Sequence, residues 1–373
     1  MSGAGTVTVP LFDLAAQHAA LSPALQDATA AVVEGGAFIG GAAVEAFEAA
    51  FADYLGAGEV VACANGTDAI EIALEALGIG PGDEVIVPAM TWVASAEAVA
   101  RVGAVPVFAD VVTGEWTLDP ASVEAVLTER TRALMPVHLY GRPADMDALT
   151  AIAAKHGLVV VEDCAQSHGA MHGGRHTGTL GDAGTFSFFP TKNLGAWGDG
   201  GAMAFRDPEV ARRARLIAHH GQSARHTHVL VGRNSRLDAL HAAVLAVKLP
   251  RLDGWVARKE AIAARYREAF ADLPLGVPEP ARNGRHGWHL FVVDAGALRD
   301  ALRDHLAKAG VGTAVHYPAA LPDQPCFAPY VRGTDATPVA CAMAGTILSL
   351  PLTAELTDDQ VATVIRAVRS ASA

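Results

Sequence analysis

Leu158-Val159-Val160-Val161-Glu162-Asp163-Cys164-Ala165-Gln166 is the stretch on which the fold turns. Its first four residues are apolar without alternation. A strand apolar on both sides is buried on both sides, as a parallel sheet under two layers of helix requires. The two acids then emerge together at the carboxyl edge of the sheet, where open α/β sheets bind ligands. An aspartate there can hold a proton on a heterocyclic nitrogen. Gln166 is placed to reach a neighbouring ring oxygen. The plainer alternative is that both acids only solvate the strand end.

The same pattern extends outward. Val60 to Cys63, Glu84 to Val87, Val105 to Phe108 and Leu134 to Leu139 read as further apolar strands. Between them, Asp68 to Leu77, Ser95 to Val102 and Asp145 to His156 read as helices, and another opens at Pro120 with Asp119 as its cap. Upstream, Val9 to Gly41 reads as an arm and a helix with Ser22-Pro23 at its start and Gly35-Gly36 at its end. A second helix follows from Val44 to Leu55. Downstream come strands Thr185 to Phe189 and Ala202 to Phe205, a helix from Pro208 to His219, and a helical region from Leu237 to Phe270 broken near Pro250. Beyond Pro274, short strand-like pieces (Trp288 to Val293, Thr313 to Val315, Ile347 to Leu350) alternate with helices Ala297 to Ala309 and Thr357 to Ala367. The expected organisation is an α/β unit over residues 1–250, including the N-terminal arm, and a smaller α+β unit over 251–373.

Composition narrows the partners. The chain has 373 residues, 51% hydrophobic and 18% charged, which gives ample core and no disorder signature. A formal net charge of −12 without a basic stripe argues against nucleic acid. Cys63, Cys164, Cys326 and Cys341 form no C-x-x-C pair, so reduced thiols are expected. Met1 to Thr8 lacks a basic leader, and no apolar run approaches the ~18 residues of a membrane span, so the expected location is the cytoplasm, away from membranes.

Four more segments carry chemistry. In Ala62-Cys63-Ala64-Asn65-Gly66-Thr67-Asp68 a strand turns into a helix, whose first N–H groups and Thr67 hydroxyl suit a phosphate; ordinary capping by Thr67 or Asp68 is the alternative. In Met90-Thr91-Trp92 the indole at a strand end can stack on a flat ring, or belong to the core. In Gly184 to Gly201, Ser187 can donate to a phosphate. Lys192, with no other cation within ten residues on either side, can form an imine with a carbonyl if its pKa is depressed. Gly232 to Asp238 follows a loop holding His219, His220, His226 and His228, whose spacing lacks H-x-x-x-H and an interleaved carboxylate, so no metal is expected. Taken together, the segments supply what pyridoxal phosphate needs: a phosphate cup, a stacking ring, an acid for the pyridine nitrogen and a lysine for the aldehyde.

With these residues the chain resembles the DegT/DnrJ/EryC1/StrS family of nucleotide-sugar aminotransferases. The resemblance rests on Ala64-Asn65-Gly66-Thr67-Asp68-Ala69, Gly80-Pro81-Gly82-Asp83-Glu84-Val85-Ile86, Pro136-Val137-His138-Leu139-Tyr140-Gly141 and Ala144-Asp145-Met146-Asp147. It continues through Glu162 to Gly169, Ser187 to Gly195, Gly198-Asp199-Gly200-Gly201 and Asn234-Ser235-Arg236-Leu237-Asp238. It implies an aspartate-aminotransferase-like fold of type I, with a mostly parallel seven-stranded sheet, and a homodimer with shared active sites. By the same resemblance Lys192 is the Schiff-base lysine, Asp163 partners the pyridine nitrogen, Gln166 touches the ring hydroxyl and Trp92 stacks on the ring. Gly66, Thr67 and Ser187 hold the phosphate, with Asn234 from the partner subunit. Relatives that act as dehydratases carry His in place of the lysine. His220-Gly221-Gln222 through Arg236, and Gly312 through Pro318, resemble the subgroup that aminates C3 of nucleotide-linked 3-keto sugars. This places Arg236, His316 and Tyr317 near the substrate and makes glutamate the expected donor. C4 amination, a dehydratase and a cofactor-binding regulator are the alternatives.

Overall fold

The structure is a computed structural model that describes residues 8–332 and 336–371. Seven strands make the central sheet: β1 Glu59–Cys63, β2 Glu84–Pro88, β3 Val105–Ala109, β4 Thr131–Leu134, β5 Val159–Asp163, β6 Ala183–Ser187 and β7 Gly201–Phe205. Their order is β1-β7-β6-β5-β4-β2-β3, and β7 alone runs antiparallel to its neighbours. The uninterrupted apolar strands have the cause expected of them. Val85, Val87 and Val161 enter one buried cluster, while Ile86 and Val160 enter another on the opposite face. A one-residue step along each strand switches the face, and both faces are covered.

The helices of this part are α1 Leu14–Gly35, α2 Ala42–Leu55, α3 Gly66–Ala76, α4 Ala94–Arg101, α5 Pro120–Val126, α6 Met146–His156, α7 Pro208–Ala218, α8 Ala239–Lys248 and α9 Leu252–Phe270. The Asp119 cap with Pro120 at the first position is present, and Gly36 ends α1 in the left-handed conformation. Toward the C-terminus, α10 Arg299–Lys308, α11 Pro338–Ala344 and α12 Asp358–Ala371 accompany a two-stranded antiparallel sheet of β8 Phe291–Asp294 and β9 Ile347–Leu350. Helix α9 spans two cores. Leu252 and Val256 pack with Phe51 and Phe186, while Tyr266 and Phe270 pack with Trp288 and Phe291. Val9, in the arm, joins the second of these cores.

Three local expectations are corrected. Ser22-Pro23 does not open the first helix: Asp13 caps it by accepting from Ala16 N at 2.9 Å, and Pro23 lies inside α1, where it forgoes one of the backbone bonds of a 22-residue helix. The strand expected over 134–139 ends at Leu134, and beyond it Val137 bridges Asp163 and Leu139–Gly141 turns as a 3₁₀ segment. Thr313 to Val315 is no strand; Ala314 forms one isolated bridge to Ser349. None of the described helices is long and apolar enough to cross a membrane.

Candidate active site

The carboxyl ends of β1, β2, β5 and β6 carry the residues singled out above. Asp163, the last residue of β5, is buried. Its backbone N–H donates to Pro136 O at 2.9 Å, and its carbonyl accepts from His138 N at 3.1 Å. Its Oδ1 accepts from Ala165 N at 3.0 Å and its Oδ2 from Ser95 Oγ at 2.7 Å. The carboxylate is therefore oriented from two sides.

Glu162 points the other way and has a different task. Its two oxygens accept from His138 Nε2 (2.9 Å), Gly178 N (2.8 Å), Leu180 N (2.7 Å) and Gly181 N (2.7 Å). Burial opposes its charge, but the His138 ring and the backbone donors outweigh that penalty and hold the carboxyl below its usual range. His138 Nδ1 accepts from Ala144 N at 3.0 Å, so its Nε2 carries the proton it gives to Glu162. Only one of the two strand-end acids is thus open to a ligand; the other ties the 178–181 loop to the sheet.

The residues expected to hold a phosphate meet where α3 abuts β6. Asn65, not Thr67 or Asp68, caps the helix by accepting from Asp68 N at 2.8 Å. Among the described residues no protein group takes the N–H of Gly66 or Thr67. Ser187 lies directly against this turn, since a Cβ on Gly66 would sit 2.6 Å from Ser187 Cβ. The Ser187 hydroxyl accepts from Phe189 N at 3.3 Å, which leaves its proton to donate. Two free N–H groups and two hydroxyls at a helix N-terminus form a donor set for a phosphate.

Lys192 follows in the loop after β6. Its Nζ makes no hydrogen bond or ion pair within the described residues, and burial lowers its pKa from 10.5 to about 8, against the opposing charge of Asp163. Its isolation in sequence is not isolation in space. Lys259 Nζ donates to Asn193 Oδ1 at 2.7 Å, and Lys248 Nζ to Gly195 O at 2.7 Å. Phe12 and Asp13 of the arm line a small cavity of about 30 Å³ together with Lys192, Asn193, Lys259 and Glu355.

Trp92 is 55% exposed, not a core residue, and its ring lies 5.3 Å from that of Tyr317. Gln166 is engaged at both ends: its Oε1 accepts from Tyr140 N at 2.8 Å and its Nε2 donates to Tyr317 Oη at 3.0 Å, which leaves one amide proton. His316 Nδ1 lies 2.8 Å from Ser349 Oγ, its carbonyl accepts from the Tyr140 hydroxyl, and burial with the nearby Lys192 charge lowers its pKa to about 4. Burial raises the Tyr317 hydroxyl pKa.

Two expected residues stand apart. Asn234 Oδ1 accepts from Arg236 Nε at 2.9 Å, and among the described residues neither makes a hydrogen bond or ion pair with Lys192, Asp163 or Ser187. Arg236 instead lines a separate cavity of about 580 Å³ with Glu48, Arg215 and His219. The sequence reading missed Ser95, Tyr140, Asn193 and Lys259. Tyr140 and Asn193 lie in stretches that carry the resemblance but had no role given to them. Ser95 and Lys259 reach the site from elements remote in the chain, and the partners of Asn193 (Lys259, His168 and Gly287) are just as distant.

A half-buried lysine, a buried aspartate, an exposed indole and uncommitted donors at Gly66, Thr67 and Ser187 suited to an anion fit the chemistry of pyridoxal phosphate. The class that fold and site define is a pyridoxal-phosphate aminotransferase of fold type I. Residues 20–369 match the profile of the DegT/DnrJ/EryC1/StrS aminotransferase family. The dTDP-3-amino-3,4,6-trideoxy-alpha-D-glucose transaminase of Streptomyces venezuelae is 45% identical, with 99% of this chain and 97% of that protein covered. The UDP-N-acetyl-3-dehydro-alpha-D-glucosamine 3-aminotransferase of Acidithiobacillus ferrooxidans is 42% identical, covering 97% of each. A crystal structure of S. venezuelae DesV in complex with a ketimine intermediate superposes with a TM-score of 0.94 at 45% identity, over 97% of this chain and 98% of that one. The Bacillus subtilis NtdA structure with bound cofactor PMP superposes with a TM-score of 0.92 at 30% identity, over 100% of this chain and 86% of that one. The chain belongs to the DegT/DnrJ/EryC1/StrS aminotransferase family, and its cofactor is pyridoxal phosphate.

Proposed function

We propose that the protein transfers an amino group from L-glutamate to C3 of a dTDP- or UDP-linked 3-keto hexose. The observation that carries the reading is the alignment, at one sheet edge, of Lys192, Asp163 and the Gly66–Thr67–Ser187 cup. Two relatives at 42–45% identity, whose names specify 3-amino or 3-dehydro nucleotide sugars, support C3 over C4.

When bound, pyridoxal phosphate supplies an electron-poor ring that stabilises negative charge at the donor's α-carbon and carries the amino group from donor to acceptor. The chain's own residues do the rest. Gly66, Thr67 and Ser187 bind the phosphate and fix the ring's register. Asp163 would accept a hydrogen bond from the ring N–H, and a carboxylate at that position favours the protonated form of the ring nitrogen. Trp92 would stack on one ring face, and Gln166 would offer its remaining amide proton to the ring hydroxyl. Lys192 Nζ, with its pKa near 8, would act as base at the donor's α-carbon and pass that proton to the cofactor's aldehyde carbon in the first half-reaction. In the second it would move a proton the other way, from that carbon to C3 of the sugar. His316, with a pKa near 4, is neutral at pH 7 and faces the sugar as a hydrogen-bonding group.

The proposed assembly is a homodimer in which Asn234 and Arg236 act in the partner's site. Supporting this are an apolar groove of about 530 Å³ between α1, α2 and α8, lined by Ala31, Val32, Ala43 and Ala243, and the exposed Val33, Phe38 and Ile39 beside it. The two cores met by α9 support a large unit over residues 1–250 and a smaller one over 251–373. Four free cysteines are in keeping with the cytoplasm.

The decisive assay is a panel of dTDP- and UDP-linked 3-keto and 4-keto sugars with glutamate. Faster turnover of the 3-keto members is expected; preference for a 4-keto sugar overturns the C3 reading. Lys192→Ala is expected to abolish turnover and the visible absorbance of the bound cofactor.

A further inference from the structure

We infer that the turn Thr91–Ser95 is a single positioning device for the ring site, with Ser95 and Thr91 as positioning residues that hold Asp163 while Trp92 flanks the ring. The inference rests on the proposed roles of Asp163 and Lys192.

Ser95 Oγ lies 2.7 Å from Asp163 Oδ2, and Thr91 Oγ1 lies 3.1 Å from Ser95 Oγ. Ser95, Thr91 and Asp163 are 0%, 3% and 5% exposed, so water does not compete for these bonds. The proton order follows from chemistry. An ionised carboxylate only accepts, so Ser95 gives its one proton to Asp163. Ser95 Oγ can then only accept from its neighbour, so Thr91 donates to Ser95. The result is a one-way chain, Thr91 to Ser95 to Asp163, ending on a charged acceptor, where such a bond is strongest.

The backbone explains why these hydroxyls meet. β2 ends at Pro88, α4 begins at Ala94, and Ser95 N donates to Trp92 O at 3.2 Å to close the turn between them. The closure turns the hydroxyls at 91 and 95 inward to β5 and leaves the indole at 92 outside, 5.3 Å from the Tyr317 ring. Asp163 Oδ1 is held independently by Ala165 N at 3.0 Å. Without Ser95 one carboxylate oxygen keeps its partner and the other loses it, so the carboxylate can rotate away from the ring nitrogen. The turn that orients the acid also sets the stacking residue, which couples the edge and the face of one ring.

The test uses the full-length holoenzyme and its apo form with pyridoxal phosphate as the probe. Ser95→Ala is expected to lower kcat about tenfold with KM for both substrates within about twofold, and to weaken cofactor binding about fivefold, as expected for losing a bond to a charged acceptor. Thr91→Val is expected to lower kcat about threefold, a neutral bond being weaker. Ser95→Thr keeps the hydroxyl and is expected to restore kcat to within about threefold of wild type. In an Asp163→Asn background Ser95→Ala is expected to cause no further loss, since both act through one group. Wild-type kcat and cofactor affinity in Ser95→Ala overturn the inference. So does an equal loss in the Asp163→Asn background, or failure of Ser95→Thr to restore. The underlying reading fails separately, by turnover that survives in Lys192→Ala.

Discussion

Lys259 Nζ donates a 2.7 Å hydrogen bond to Asn193 Oδ1, one residue beyond Lys192. The chain holds only five lysines (155, 192, 248, 259 and 308) among 28 cations, and three of them gather around this one loop. Lysine presents a compact charge with rotatable donors and neutralises readily when buried, which suits it to a single oxygen inside the fold. Burial lowers the pKa of both Lys248 and Lys259 to about 8. Asn193 spreads the contact further, donating to His168 O at 3.2 Å and Gly287 O at 2.6 Å. Asn193→Ala strands the Lys259 ammonium and two carbonyls and is expected to cost about 2–4 kcal/mol. Lys259→Met leaves only an amide oxygen unpaired and is expected to cost less than about 2 kcal/mol. Chemical denaturation of the cofactor-free protein checks the order; an undiminished Asn193→Ala removes the clamp.

The adjacent acids Glu162 and Asp163 are expected to fail in different ways. Glu162→Gln turns an NH₂ toward the N–H donors of the 178–181 loop and is expected to destabilise by about 3 kcal/mol or more, as unmatched buried groups do. Asp163→Asn is expected to fold with a denaturation midpoint near wild type and to lose kcat by about a hundredfold or more, in the range of removing a preorganised electrostatic partner. Denaturation and steady-state kinetics on the two variants separate a scaffold acid from a working one. A stable Glu162→Gln contradicts the assignment.

The pH dependence of cofactor capture follows from Lys192. Only the neutral amine attacks an aldehyde, and burial brings this amine's pKa to about 8. Below that value protonation suppresses attack; above it the amine is free. The rate at which the apoprotein acquires visible absorbance from pyridoxal phosphate is expected to rise about tenfold from pH 7 to pH 9 and then level off. Stopped-flow absorbance records it. A rate still climbing through pH 10 marks an ordinary lysine.

Gly66 tests the cup by shape. Its backbone is unstrained for any residue, so the effect of a substitution is steric: the added Cβ meets Ser187 Cβ at 2.6 Å. Gly66→Ala is expected to push the helix start from Ser187 and weaken cofactor binding at least about tenfold, while Ser187→Ala, which removes one hydroxyl, is expected to cost about fivefold. Fluorescence titration of the apoprotein measures both. Equal affinities would place the phosphate elsewhere.

Much of this was legible in the chain. The uninterrupted run Leu158 to Val161 reports a doubly covered strand because burial on both faces leaves no polar position. Asp163 and Lys192 stand out because a strand end and a glycine-rich loop present them to a common edge. The Asp119–Pro120 start was readable because capping is a contact between near neighbours, whereas Ser22-Pro23 misled because another cap residue, Asp13, stands nine residues earlier and the helix starts from that one.

The linear order therefore determined the layer architecture, the cofactor and the residues at the ends of the strands, all of which follow from local pattern. Tertiary structure alone decided which acid is open and which is consumed, why Lys192 has company, and what holds Asp163. Glu162 meets the 178–181 loop, Lys259 meets Asn193 across 66 residues and Ser95 meets Asp163 across 68. Such contacts are invisible in sequence because a hydrogen bond depends on distance in space, and only the packed sheet and helices bring those atoms within 3 Å.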